Sequence, residues 1–271
     1  SDVYKRQILS SSTGPSSSGD LNIRTSGLLS IYDRSVIENF AENKDLLGST
    51  GAIRVDAGRI LISYKDQIQD PQYTGIFNVN RNFTGNSGDL RVVSKGDITL
   101  TGRYQYAAKE ENLRGGTYTG IGTVSSLRGD ASVVGEIAIH SGGRLSIHAV
   151  GEDIPRMAPA SMRFESPTVA TGVFSTQFKA DNDKSSQSNF SDIHITATQG
   201  VNLRNGAVVL SGFSSGTIKA PTISIASEGP ISLFRSTIGN LVVSSGNVSA
   251  ASKAAVAIQG NGIKLQDRSI I

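Results

Sequence analysis

Residues 88–100 read Gly-Asp-Leu-Arg-Val-Val-Ser-Lys-Gly-Asp-Ile-Thr-Leu. The order is a small residue, a polar residue, two alternating apolar residues, a turn with Gly, and two more alternating apolar residues. Alternation at period two marks each short run as a strand with one buried and one wet face. The Gly between the runs is expected to supply a corner with φ > 0, which a β-branched residue occupies only at a cost.

The same order recurs along the chain. Upstream it reads Gly19-Asp20-Leu21-Asn22-Ile23 with Gly27, Leu29 and Ile31, then Gly51, Ile53 and Val55 with Gly58, Ile60 and Ile62. Downstream it reads Gly135-Glu136-Ile137-Ala138-Ile139 with Gly143, Leu145 and Ile147, then Asp192-Ile193-His194-Ile195 with Gly200, Val201 and Leu203. Thr222-Ile223-Ser224-Ile225 with Gly229, Ile231 and Leu233 follows, and Gly239-Asn240-Leu241-Val242-Val243 with Gly246 and Val248 is expected to open a seventh copy.

Two strands do not close a coil, so a third should follow each pair. Tyr73-Thr74-Gly75-Ile76-Phe77, Tyr118-Thr119-Gly120-Ile121 and Thr171-Gly172-Val173-Phe174 supply it in three successive copies. Arg34-Ser35-Val36-Ile37, Arg235-Ser236-Thr237-Ile238 and Arg268-Ser269-Ile270-Ile271 are shorter versions. Insertions at 63–72, 101–117 and 148–169 fall between second and third strands, and polar stretches at 78–87, 125–134 and 176–190 fall after the third. Insertions at a repeated corner map to one flank of a solenoid, often its working face.

These observations predict an all-β fold, a right-handed parallel β-helix (β-solenoid) with three short strands per rung and about seven rungs. Residues 19–190 form rungs with long loop insertions, and 191–271 form compact rungs of the same continuous solenoid. Antiparallel sandwiches also give short alternating strands, but no consistent two-residue hairpin links the paired strands here, and the three-part order is kept. Residues 1–18 are expected to lie outside the fold as a disordered or artefactual segment. Neither end carries the polar cap that a repeat array needs, so the chain is expected to be a fragment.

Composition fits this architecture. The 271 residues include 30 Gly, no Cys and no Trp, with aromatics at only 6 %, which suits thin stacked strands rather than a thick two-layer core. The net charge is +3 and the basic residues are scattered singly, so no patch for nucleic acid forms. No apolar run approaches the roughly 18 residues of a membrane-spanning helix.

The ordered copies, with Asn86-Ser87-Gly88-Asp89-Leu90-Arg91-Val92, Gly143 to Ile147 and the Tyr-Thr-Gly-Ile third strand, resemble the shaft repeats of filamentous-haemagglutinin-like exoproteins. The similarity is nearest to the cyanobacterial versions and covers about residues 19–271. It implies a large adhesin, secreted or at the cell surface of a Gram-negative-type bacterium and exported through an outer-membrane two-partner-secretion transporter. It further implies a structural shaft that projects binding regions toward a cell-surface or carbohydrate receptor. The family's secretion domain carries an Asn-Pro-Asn-Gly signature, and this chain has no Asn-Pro dipeptide, so it corresponds to shaft.

The alternative is a β-helical carbohydrate-active enzyme such as a polysaccharide lyase, which needs clustered carboxylates on a strand face. Asp20, Asp89, Glu136 and Asp192 follow the corner in four rungs and could stack. Ala52, Thr222 and Asn240 hold that place elsewhere, so the expectation is a wet corner, with no catalytic residue and no cofactor. Gly212-Phe213-Ser214-Ser215-Gly216 has nucleophile-elbow spacing without a following helix. His140, His148 and His194 sit at non-equivalent rung positions and do not converge. Arg128-Gly129-Asp130 is a weak receptor-binding candidate on a predicted loop. Asp181, Asp183 and Asp192, with Ser185, Gln187 and Asn189 between them, match a calcium-loop template, but Ser186 stands where the turn wants Gly. Asn82, Asn189 and Asn247 match the glycosylation acceptor pattern.

Overall fold

The structure is a computed structural model that describes residues 7–42, 47–65, 73–82, 84–103, 117–125, 133–150, 169–177, 190–213, 221–242, 255–267 and 269–271. The described residues contain no helix. They form three parallel sheets of seven strands each and one small two-stranded sheet, Asn86–Ser87 with Val133–Val134.

Each turn of the coil contributes one strand to each large sheet. The first sheet stacks Leu21–Arg24, Ile53–Ala57, Leu90–Ser94, Ile137–Ser141, Ile193–Ala197, Thr222–Ser227 and Ala255–Gln259. The second stacks Leu28–Tyr32, Arg59–Ser63, Ile98–Arg103, Arg144–Val150, Gly200–Arg204, Ile231–Phe234 and Ile263–Gln266. The third stacks Gln7–Ser12, Val36–Ala41, Tyr73–Asn80, Thr117–Ser125, Val169–Gln177, Val208–Phe213 and Thr237–Val242. The chain is a parallel β-helix, as its repeats predict. Ile137 pairs with Ile193, so the ladder runs unbroken from the elaborated rungs into the compact ones.

Parallel strands in register place like on like. The first sheet's inward column is Leu21, Ile53, Leu90, Ile137, Ile193, Ile223 and Val256. The second sheet's is Leu29, Ile60, Ile98, Leu145, Val201, Ile231 and Ile263. Away from the ends these side chains are fully buried in one cluster running along the axis. The end rungs expose theirs, at Ile8, Ile263 and Leu265.

The interior is not wholly aliphatic. One inward column of the third sheet runs Ser10, Asn39, Asn78, Thr123, Ser175, Ser211 and Asn240. The Asn39 amide donates to the Gly51 and Ala52 carbonyls at 2.9 and 3.1 Å, and that of Asn78 to Gly51 and Gly88 at 3.0 and 2.8 Å. These carbonyls lie where the chain leaves one sheet for the next, and a buried one there needs a side-chain donor. Lower in the column the Thr123 hydroxyl donates to Ser175 at 2.8 Å, and Ser211 to the Ser191 carbonyl at 2.7 Å.

Three sequence expectations are corrected. Gln7–Ser12 is part of the fold, paired in parallel with Val36–Ala41. Gly239-Asn240-Leu241-Val242 does not open a seventh rung. It lies inside Thr237–Val242, paired with Val208–Phe213, and the seventh rung begins at Ala255–Gln259. Most corner glycines also serve a different purpose from the one expected. Gly58, Gly96 and Gly143 are absent from the positive-φ positions, whereas Gly200 (φ 125°) is among them. At Gly58 a Cβ would lie 2.1 Å from the Ser26 carbonyl oxygen, so close approach between rungs, not backbone handedness, excludes a side chain there.

Gly120 combines both restrictions. Its φ is 143°, and a Cβ would sit 1.9 Å from the Gly172 carbonyl oxygen in the next rung. At Gly239, in the same sheet, a Cβ meets nothing within 4 Å. Gly120→Ala should therefore lower stability by at least about 2 kcal/mol, while Gly239→Ala changes it by no more than about 0.5 kcal/mol. Urea unfolding of the two variants beside the parent checks this; equal midpoints would contradict the close stacking of the third sheet.

Candidate functional site

Most corner N–H groups keep a backbone carbonyl partner in the neighbouring rung, as Gly96 does with Gly58 at 2.8 Å, but at a few corner positions a side-chain acceptor reaches the N–H instead. The acidic residues at the start of the first sheet do this. Asp20 Oδ1 accepts the Ala52 N–H at 2.8 Å, Asp89 Oδ1 the Glu136 N–H at 3.0 Å, and Asp192 Oδ1 the Thr222 N–H at 2.6 Å. Other corners repeat the device, with Asp97 accepting from Arg144 at 2.8 Å and Asp33 from Lys65 at 2.7 Å. A short carboxylate thus reaches one rung along the axis and ties the neighbouring backbone. Glu136 departs from the pattern, its Oε1 lying 3.9 Å from His194 Nε2. The sequence shows the acidic column but not its work, because the partner is a backbone group some 30 to 47 residues away.

The remaining candidates do not gather into one place. Asp181 and Asp183 lie outside the described residues, as do Arg128, Gly129 and Asp130. Asp192 is tied into the first sheet through its side chain and through its carbonyl, which accepts the Ile137 N–H at 2.9 Å. The histidines make separate contacts: His140 Nδ1 with Thr196 Oγ1 at 2.8 Å, His194 Nδ1 with Ser224 Oγ at 2.6 Å, and His148 Nε2 with Asn205 Nδ2 at 2.9 Å. Among the described residues, no three His, Cys, Asp or Glu side chains are arranged to hold a metal. Gly212 is part of a third-sheet strand, and a Cβ there would strike the Phe190 ring. Asn82 is buried, with its amide donating to the Gly48 carbonyl at 3.3 Å.

The sequence reading missed the outward face of the third sheet. Val36, Phe77, Val79, Val124 and Phe174 point away from the coil interior yet are buried as a second apolar cluster, with Phe40, Tyr73, Tyr118 and Leu210 packed against it. Tyr73 and Tyr118 are stacked at 5.8 Å between ring centres with planes 14° apart, and Tyr118 meets Phe174 at 4.8 Å. The signal was present in the large apolar residues at successive third-strand positions, including the outward ones: Tyr73 and Phe77, then Phe174.

One carboxyl group sits in this cluster. Glu38 is the register partner of Phe77. Burial raises its pKa from the usual 4.5 to about 7, partly opposed by the Arg81 guanidinium. Arg81 pairs with Glu42 at 3.2 Å and lies 5.3 Å over the Phe40 ring. Burial likewise pushes the Tyr73 and Tyr118 hydroxyls up. The patch is thus an apolar, partly desolvated face holding a carboxyl that is about half protonated at neutral pH.

With this geometry in place, comparison with known proteins adds no relative: no family profile, curated protein or solved structure matches the chain.

Glu38 gives the fold a pH dependence with a defined sign. Between pH 4.5 and 7 the unfolded chain loses this proton while the folded chain keeps it, so the group's contribution to stability falls across that window and levels off above it. The difference is on the order of 3 kcal/mol. Glu38→Gln should melt higher than the parent at pH 8 and match it near pH 4.5. Parallel melting curves across pH would show that Glu38 is solvated.

Proposed function

We propose that this chain is a structural shaft segment of a large secreted or cell-surface adhesin of the filamentous-haemagglutinin-like kind, holding binding regions away from the cell. The observation that carries the reading is the use made of the corner carboxylates. Of the four residues that would have to form a catalytic acid array, Asp20, Asp89 and Asp192 instead accept backbone N–H groups of the next rung at 2.6–3.0 Å, and Glu136 lies beside His194. An acid committed to holding rungs together serves length and stiffness rather than proton transfer. The continuous aliphatic interior supports the same role, since a column buried at every rung between the two ends lets rungs be added without changing the section of the rod. In chain order the interruptions of rungs two to four all come before or after a third-sheet strand, and none separates a first-sheet strand from the second-sheet strand that follows it. Export through a two-partner transporter fits a chain without Cys.

One observation favours the carbohydrate-active alternative: Glu38 is a carboxyl with a raised pKa beside stacked tyrosines, as a general acid would require. Its neighbour Glu42 is held by Arg81, and a two-carboxylate mechanism needs a second free group.

Two measurements separate the readings. Antibodies raised against the folded solenoid should label intact cells of the source bacterium without permeabilisation; labelling only after permeabilisation would contradict the adhesin shaft. Purified protein should release no unsaturated oligosaccharides from pectin or hyaluronan, with or without Ca²⁺. Release abolished by Glu38→Gln would establish the enzyme reading instead.

A further inference from the structure

The corner between the second and third sheets is where rungs two to four are interrupted, at 64–72, 104–116 and 151–168. In the compact rungs the chain turns there within a few residues, using left-handed conformations at Asn205 (φ 56°), Gly206 (φ 90°) and Arg235 (φ 50°). Beside this short corner the outward positions His148, Arg204, Phe234 and Gln266 follow one another in register on successive rungs or share its edge. Between them lies a concavity of about 300 Å³ lined by Arg204, Asn205, Ser232, Phe234 and Gln266.

The chemistry of this lining is specific. Arg204 is exposed, and its Nε donates to Asn202 Oδ1 at 3.1 Å, which fixes the direction of the guanidinium. No carboxylate pairs with it among the described residues. Arg235 contrasts with it: its guanidinium is paired with Asp267 and lies 5.2 Å over the Phe234 ring, so its charge is met and the ring is oriented. Asn205 is held by His148 at 2.9 Å. The groove therefore offers one unpaired guanidinium, one oriented and half-exposed aromatic ring, two amides and one hydroxyl.

A guanidinium with free terminal nitrogens takes a carboxylate in two parallel hydrogen bonds. The apolar C–H face of a pyranose covers an aromatic ring, and amides and hydroxyls, which both donate and accept, suit the sugar's hydroxyl groups. Phosphate alone would use the arginine and leave the ring and amides idle. The volume stands at the lower end for ligand sites, which suits one ring rather than a bound chain. We propose that this groove binds a single hexuronic acid residue of an acidic polysaccharide, with Arg204 holding the carboxylate and Phe234 the sugar face. The proposal deepens the adhesin reading, and rests on it, by placing a receptor contact on the plain half of the shaft.

The test is calorimetric titration of the full chain with trigalacturonate, followed by assay of the same mixture for unsaturated products. Binding should be saturable, weakened by at least about tenfold in both Arg204→Gln and Phe234→Ala, and absent with neutral maltotriose. Circular dichroism and melting of both variants should match the parent, since both side chains point outward. Absence of saturable binding, unchanged binding in Arg204→Gln, or equal binding of maltotriose would overturn the proposed groove and leave the shaft reading standing. Unsaturated products would overturn the shaft reading itself.

Discussion

The parallel hydrogen-bonded ladder fixes the distance between rungs at about 4.8 Å, and nearly every residue choice in this chain answers to that spacing. Any position meets its counterpart one rung above and one below. An aliphatic residue is therefore best followed by another of similar size, which yields the Ile-Leu-Val columns of the first two sheets. Where backbone must approach backbone the counterpart must be Gly, as where Gly75, Gly120 and Gly172 stand in successive strands. Where the ladder breaks at a corner, an Asn amide or an Asp carboxylate substitutes for the missing strand partner.

Much of this was legible because a column writes itself into the sequence as a repeat. Leu90 and Val92, then Ile137 and Ile139, announce the first sheet in the sequence itself. The third sheet was less legible for a physical reason. Alternation signals a strand with one wet face, whereas Tyr73–Asn80 is buried on both: Ile76 faces the coil interior while Phe77 and Val79 face the second cluster. A strand covered twice shows no clean period two. Val208–Phe213 repeats none of the Tyr-Thr-Gly wording and, for the same reason, carries no clean alternation. Gly239-Asn240-Leu241 imitates the opening of a rung because Gly-Asn-Leu is acceptable on any outward-inward strand. Gln7–Ser12, rich in Ser, has a single apolar pair and becomes recognisable only through its partner Val36–Ala41. The candidate groove was invisible in sequence, since Arg204, Phe234 and Gln266 are neighbours only once successive rungs are stacked.

The faces of the coil differ in what they can do. The first sheet's outward face is polar and regular, and its corner acids are spent on the backbone. The third sheet turns an apolar, aromatic face outward and is flanked by the interruptions of rungs two to four. The compact rungs turn the corner beside that sheet within a few residues, and there Arg204 has no carboxylate partner among the described residues while Phe234 lies under the Arg235 guanidinium.

Everything above depends on strands far apart in sequence lying directly over one another, and the absence of Cys allows a clean test. Thr99 and Ser146 are outward register partners in adjacent rungs, 47 residues apart in the chain. With both changed to Cys, mild oxidation of the folded protein should close a disulfide, seen as faster migration on non-reducing gels, because register partners fall within bridging distance. Thr99→Cys with Ser232→Cys, three rungs away, should remain unlinked. Crosslinking of the distant pair in preference to the adjacent one would contradict the in-register parallel coil.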